Sequence, residues 1–336
     1  MSHGLPAPRI AVPDAIDPAA FRNFDPRAPI VDLAGGTMGT TWRARAALPH
    51  AIGIDHAALR AIIQSRLDGI VQDMSHWEAS SNLSRFNRAH AGSVLALSPD
   101  MAIVIAAGLE IAEASDGAFD PALGRLTDIW GLGPDANGTP PTPEDIRCAL
   151  AAGNWRRLCL DPGRGTLRQP GGLWLDLSGI AKGFAVDAIA DLLADLGVHH
   201  CLVEIGGECT GRGLRPDGDP WWADVENPPG SLLPRLRIAL HQLAIATSGD
   251  YLRGAHTIDP YTGWPAVHAT TAMTVVHPQC MHADAWATAL SVVEPDRARA
   301  MVLQLGLAVR MVLRDGQEWI SPRLAAMMGG TDAAAA

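Results

Sequence analysis

Short strand-like runs crowd the second half of the chain without alternating regularly with helices, and that order limits the architecture more than any other feature. The runs are Trp174–Leu177, His200–Ile205, Trp222–Val225, Arg235–Ala239, Leu243–Thr247, Ala272–Val276, Ala308–Leu313 and Glu318–Ser321, with an earlier one at Thr40–Ala46. Helical spacing predicts helices over His56–Met74, Pro99–Ser115, Pro143–Ala152, Phe184–Leu196, His282–Val293 and Pro295–Leu305. A doubly wound parallel sheet needs a helix between successive strands. The pattern therefore predicts an α+β fold, with mixed or antiparallel sheets packed by helices. Residues 1–29 are rich in Pro, Ala and Asp with weak periodicity and read as an extended arm; residues 30–328 read as one domain and 329–336 as a frayed tail.

The richest local signal is Leu173–Val198, LWLDLSGIAKGFAVDAIADLLADLGV. An apolar run ends in Asp176, a turn through Gly179 leads to Lys182, and Ala185, Ile189, Leu192, Leu193 and Leu196 recur at helical spacing. A strand-to-helix junction offers unpaired amides and the positive end of a helix dipole, which suits an anionic phosphate. The segment alone fits an ordinary connection with solvated Asp176 and Lys182 equally well, and it is neither GxxxxGK[ST] nor GxGxxG.

Composition removes some classes. Acidic residues outnumber basic ones 36 to 26, for a net charge of −10, and no run of Lys and Arg tracks a phosphate backbone, so nucleic acid is not expected as a partner. Five cysteines without a CxxC or zinc spacing read as reduced thiols, mostly buried. No apolar stretch reaches the length of a transmembrane segment, and Met1–Phe21 has no basic start followed by an apolar core. The chain as it stands is expected in the cytoplasm, with export left open if a leader precedes it.

Four further segments carry polar chemistry. In MHADAWATAL a helix places Asp284 and Thr288 four residues apart on one face. A carboxylate and a hydroxyl are hard oxygens suited to Mg²⁺, although an Asp near a helix start also serves as a cap. In ATSGDYLRGAHTIDPYTGWP, His256 is a candidate acid or base, and Asp259 orients it, sits near the metal or closes an ordinary turn. DGAFDPALGRLTDIWGLG sets Phe119, Asp120 and Trp130 where flat aromatics hold a planar ring or simply pack in the core. MSHWEASSNLSRFNR places Trp77 before a polar turn and Ser84, Arg85 and Asn87, or is a serine-capped helix end.

GGTMGTTW, MSHWEASSNLSRFN, GAFDPALG, DLSGIAKGFAVD, VEIGGE, ATSGDY, HTIDPYTG and MHADAWATAL follow one another in an order that resembles the FAD:protein FMN transferases, the ApbE-like flavin transferases. The resemblance runs from about Gly35 to Leu290 and takes in the remaining helix and strands to about Ser321. It implies a single α+β domain with an FAD cleft, Mg²⁺ as cofactor, and transfer of FMN from FAD to a Thr or Ser of an acceptor protein with release of AMP. It implies metal contacts at Asp284, Thr288 and the Gly179 carbonyl, and FAD contacts at Met38, Trp77, Ala118, Phe119, Asp120, Asp176, Lys182 and Ile258. His256 and Asp284 are the implied catalytic residues, His256 assisting proton transfer from the acceptor hydroxyl. The implied acceptor carries a motif like Asp-x-x-Ser/Thr-Gly-Ala-Ser/Thr. The nearest alternatives are a Mg²⁺-dependent FAD pyrophosphatase giving FMN and AMP, and a non-catalytic flavin-binding or storage protein. The aromatic Trp77 favours transfer, because its loss in the family goes with hydrolysis. Asp284 is expected to be an exposed ligand whose replacement costs little stability. One departure is the short Leu252–Ala255 link between GDY and HTIDP, where the family carries a longer hairpin, so the acceptor-facing rim is expected to differ.

Overall fold

The computed structural model describes residues 8–134, 139–249, 257–266 and 269–329. Its centre is an eight-stranded sheet in which every neighbouring pair is antiparallel. Across the sheet the strands run Glu318–Ile320, Ala308–Leu313, Thr270–His277, Leu243–Gly249, Glu208–Arg212, Cys201–Ile205, Thr40–Ala47 and Ile30–Thr37. The fold is α+β, as the strand order predicts.

Two strands of this sheet escaped the pattern reading. Ile30–Thr37 pairs with Thr40–Ala47 through a two-residue turn in which Met38 and Gly39 have φ of 48° and 71°, the geometry that matches strand twist in a hairpin. Glu208–Arg212 follows Cys201–Ile205 through a similar turn at Gly206 and Gly207, and is almost wholly buried. With both faces covered it has no polar alternation to recognise. Gly211 is required within it: a Cβ there would stand 2.4 Å from the Leu240 carbonyl oxygen.

Trp174–Leu177 is not a strand. Leu173, Leu175 and Leu177 are buried on alternate positions, yet among the described residues the only ladder contact is an isolated bridge between Leu123 and Trp174. The backbone is satisfied by a side chain instead: Leu175 N–H donates to Asn87 Oδ1 at 2.7 Å and Asn87 Nδ2 donates back to the Leu175 carbonyl at 3.0 Å. Period-two burial reports extended backbone, whatever meets its polar groups.

Helices His56–Met74, Pro99–Ala114, Pro143–Ala152, Ala181–Asp195, Cys280–Ser291 and Pro295–Leu305 lie where the spacing puts them. Asp55 caps the first through the Ala57 and Ala58 amides, Ser98 caps the second, and Thr142 with Asp145 forms a capping box on the third. Ala185, Ile189 and Leu193 of one helix and Ala285, Ala289 and Leu290 of another pack with Val203, Ala244, Ala246, Met273 and Val275 on one face of the sheet. Ile245, Val276 and Cys209 point to the other face, against a three-stranded sheet of Arg9–Ala11, Leu236–Leu240 and Trp221–Val225. Arg9–Ala11 runs parallel to Leu236–Leu240, and Arg9 meets Glu318 through both its terminal nitrogens. The segment before residue 30 thus includes a paired strand, and residues 330–336 lie outside the described residues.

Cys201, Cys209 and Cys280 are buried thiols, while Cys148 and Cys159 are exposed. Among the described residues no helix is long and apolar enough to cross a membrane.

Candidate active site

The turn after Leu177 delivers three residues to one place. Asp176 is held by the Ser178 N–H at 2.8 Å and the Thr127 hydroxyl at 2.7 Å, and His76 Nδ1 stands 3.8 Å from its carboxylate. Gly179 lies so close to the helix Cys280–Ser291 that a Cβ on it would be 3.0 Å from Thr288 Oγ1. Lys182, in the first turn of Ala181–Asp195, forms an ion pair with Glu208.

The helices Ala181–Asp195 and Cys280–Ser291 approach through Gly183, whose Cβ would meet the Cys280 carbonyl oxygen at 2.3 Å. This contact sets Asp284 against the start of the neighbouring helix, where its Oδ2 accepts the Gly183 N–H at 3.0 Å. Asp284 is 5% exposed, so the expectation of an exposed ligand is overturned: its helix faces the core on nearly every side. Burial pushes its pKa up, with Lys182 opposing. Burial, and then the Asp284 charge, also pushes up Glu208 against the pull of Lys182. One oxygen of Glu208, Oε2, is buried with no hydrogen-bond partner among the described residues.

The opposite wall comes from the turn at Asp116 and Gly117, both at positive φ, which leads into buried Ala118 and Phe119. Asp120 accepts the Ala122 and Trp155 amides at 2.7 and 3.2 Å, and burial raises its pKa to about 6. Trp77 is 62% exposed just beyond the helix His56–Met74, and Ile258 is buried at the entry to the Asp259 turn. Asp259 performs the turn role, accepting the Tyr261 N–H and the Thr262 hydroxyl. Trp130 packs against Trp264 and donates to the Gly263 carbonyl, so it belongs to the surrounding structure and not to the cavity lining.

One cavity of about 510 Å³ is lined by Trp77, Ala118, Phe119, Asp120, Asp176, Gly179, Lys182, Ile258, Asp284 and Thr288. These residues come from five separate parts of the sequence. Met38 is not among the lining residues; it sits at the hairpin tip two positions before Thr40, whose methyl would be 2.9 Å from a Cβ on Gly206, and Gly206 does line the cavity. His256 and the Leu252–Ala255 link lie outside the described residues.

Pattern reading did not assign Glu208, His76, Thr127, or the Thr247–Gly249 edge, all of which line the same cavity. Glu208 had a signal: a carboxylate directly after a Gly-Gly turn, within an apolar stretch, in the VEIGGE motif. Its partner Lys182 is 26 positions away in the chain, a pairing no local pattern carries.

Among the described residues there is no cluster of three or more His, Cys, Asp or Glu side chains of the kind that grips a transition metal. The donor set suits a different ion. A carboxylate, a hydroxyl and a peptide carbonyl are hard oxygens, and Mg²⁺ takes few protein ligands. Two buried carboxylates, Asp284 and Glu208, share the single lysine Lys182 in the cavity lining, and Glu208 Oε2 is unsatisfied; this excess of buried negative charge fits a cation.

Residues 38–311 match the model of the ApbE family. The FAD:protein FMN transferase of Klebsiella pneumoniae (strain 342) is 33% identical over 317 residues, 89% of each chain. That of Escherichia coli (strain K12) is 33% identical over 310 residues, 87% of each. Among solved structures, the flavin transferase ApbE from Vibrio cholerae superposes with a TM-score of 0.83 at 34% identity, over 89% of this chain and 99% of that one. The apo flavinyl transferase ApbE of Pseudomonas stutzeri gives 0.82 at 32% identity, over 89% and 98%.

Proposed function

The chain belongs to the ApbE family, and from that premise we propose that it is an FAD:protein FMN transferase, moving FMN from FAD to a Thr or Ser hydroxyl of an acceptor protein with release of AMP in a Mg²⁺-dependent reaction. The observation that carries the reading is the single cavity that joins Trp77, the 118–120 turn, Asp176, Lys182, Asp284 and Thr288.

The residues divide the work by their chemistry. Trp77 offers an exposed flat face for a planar ring. Phe119 and Ile258 provide apolar wall, and Asp176, fixed by Thr127 and Ser178, is an oriented acceptor for a hydroxyl or amine of FAD. Lys182 supplies positive charge beside the pyrophosphate, and Glu208 fixes where that ammonium stands. Asp284, Thr288 and the Gly179 carbonyl would hold Mg²⁺, which when bound supplies charge neutralisation for the pyrophosphate and its leaving group. In the transfer the acceptor oxygen bonds to the FMN phosphorus as the bond to AMP breaks, and the hydroxyl proton goes to a base. His256 is assigned that role; it immediately precedes Thr257 and Ile258, which line the cavity. Water as the attacking oxygen would give free FMN instead, so exclusion of water by the acceptor separates transfer from hydrolysis.

The test is incubation with FAD, Mg²⁺ and an acceptor domain carrying the Asp-x-x-Ser/Thr-Gly-Ala-Ser/Thr-like motif, followed by intact-mass measurement. An FMN increment on the acceptor, lost when its final Ser/Thr is replaced by Ala, is the expected result. Free FMN and AMP without an adduct would establish the pyrophosphatase reading, and unchanged FAD would establish the binding-only one. Asp284→Asn is expected to abolish Mg²⁺ stimulation, and His256→Ala to slow transfer with FAD binding retained.

A further inference from the structure

The helices Ala181–Asp195 and Cys280–Ser291 cap each other. Neither receives a side-chain cap from its own preceding residue, Ile180 or Gln279. Asp187 Oδ1 instead accepts the Cys280 N–H at 3.0 Å and Oδ2 the Met281 N–H at 2.9 Å, while Asp284 Oδ2 accepts the Gly183 N–H at 3.0 Å. The arrangement is reciprocal: each carboxylate lies four residues beyond the amide that its own helix offers to the other, Asp187 beyond Gly183 and Asp284 beyond Cys280. Cys280, Met281 and Gly183 are all buried, so water does not stand ready to replace either carboxylate.

We propose that Asp187 is a positioning residue for the transfer reaction, holding the start of Cys280–Ser291 so that Asp284 and Thr288, on the following turns, face Gly179 and Lys182. The inference rests on the reading of Asp284 and Thr288 as the residues that hold Mg²⁺. Asp187 itself is absent from the cavity lining. Its effect passes through the helix: two of the amides left unpaired at that helix start, those of Cys280 and Met281, end on this one carboxylate, and without it the first turn must shift or fray to satisfy them. Because the crossing at Gly183 leaves no slack, movement of that turn is transmitted to Asp284 one turn later.

The experiment compares wild type, Asp187→Asn and Asp55→Ala. Asp55 likewise satisfies two amides, those of Ala57 and Ala58, at the start of His56–Met74, and none of these residues lines the cavity. Two Mg²⁺ midpoints are read on the full chain, the concentration for half-maximal thermal stabilisation of the FAD-bound protein and that for half-maximal FMN transfer, alongside the melting temperature and the FAD affinity in chelator. Asp187→Asn is expected to raise both roughly tenfold or more, the range for residues that orient metal ligands, while FAD affinity measured in chelator stays at the wild-type value. Asp55→Ala is expected to lower the melting temperature without moving the Mg²⁺ midpoints. An unmoved Mg²⁺ midpoint in Asp187→Asn, or an equal rise in Asp55→Ala, would overturn the proposal. Should Asp187→Asn not fold, Asp187→Glu keeps both oxygens on a longer arm and carries the same expectation. Wild-type protein that transfers FMN without any response to Mg²⁺ would instead overturn the metal reading, and this inference with it.

Discussion

Gly183→Ala and Gly69→Ala make the same chemical change in two helices and should move stability in opposite directions. Both glycines have ordinary helical φ, so in each helix alanine brings the intrinsic preference of about 0.8–1 kcal/mol. At Gly69 the new methyl meets nothing within 4 Å, and that gain should appear almost in full. At Gly183 it would lie 2.3 Å from the Cys280 carbonyl oxygen, 2.7 Å from its carbon and 2.8 Å from Asp284 Cβ. Two of these three atoms are backbone, so no rotamer change relieves the contact and the two helices must separate. Overpacking of this kind costs about 1–3 kcal/mol, and with close contacts to backbone the upper part of that range applies; net of the helix preference the loss is about 1–2 kcal/mol. Urea unfolding followed by circular dichroism reads both variants, with the denaturant slope checked for constancy so that midpoint shifts report stability. Separation of the helices also pulls Asp284 from the Gly183 amide, so FMN transfer should fall in Gly183→Ala and stay unchanged in Gly69→Ala. A Gly183→Ala protein as stable as wild type with full transfer would refute the close crossing and the placement of Asp284 that depends on it.

Three further outcomes are expected. Burial raises Asp120 to about 6, against about 3.9 in an unfolded chain, so folding favours its neutral form; this contribution, roughly 3 kcal/mol, is complete below about pH 4 and is lost as pH rises through 6. In the FAD-free protein Asp120→Asn should therefore flatten part of the stability loss between those pH values, with Asp187, also raised to about 6 by burial, keeping its own share; an unchanged pH slope would count against it. Trp77→Ala removes a mostly exposed side chain and should alter stability by no more than about 0.5 kcal/mol, while weakening FAD binding and raising the ratio of free FMN to acceptor adduct by intact mass. Lys182→Met strands the buried Glu208 and Asp284 and should cost about 3 kcal/mol; adding Glu208→Gln should recover part of that loss, and purely additive costs in the double-mutant cycle would sink the coupling.

The helices were legible because each carries its own start signal and apolar spacing: Asp55, Ser98 and Thr142 stand directly before the turns they cap, and Leu59, Ile63, Leu67 and Ile70 mark one buried stripe. Motif order also singled out Asp176, Lys182, Asp284 and Thr288, which line one cavity. What their neighbours are was not legible. Leu173, Leu175 and Leu177 alternate like a strand, but whether extended backbone joins a ladder depends on what lies alongside it, here the Asn87 side chain. Glu208 became part of the site only when the Gly206–Gly207 turn folded its strand back beside the helix that carries Lys182. The caps of the two site helices show the same division. The residues directly before Ala181 and Cys280, Ile180 and Gln279, give no side-chain cap, and the carboxylates that meet amides at those helix starts come from the opposite helix. Residue type and short-range spacing fix helix propensity and the available chemistry, because both act within a turn or two of the chain. The exchange of caps acts across the Gly183 crossing, between residues about a hundred positions apart, and the Lys182–Glu208 pair joins a helix to a strand; these contacts and the burial around them exist only once the elements have packed.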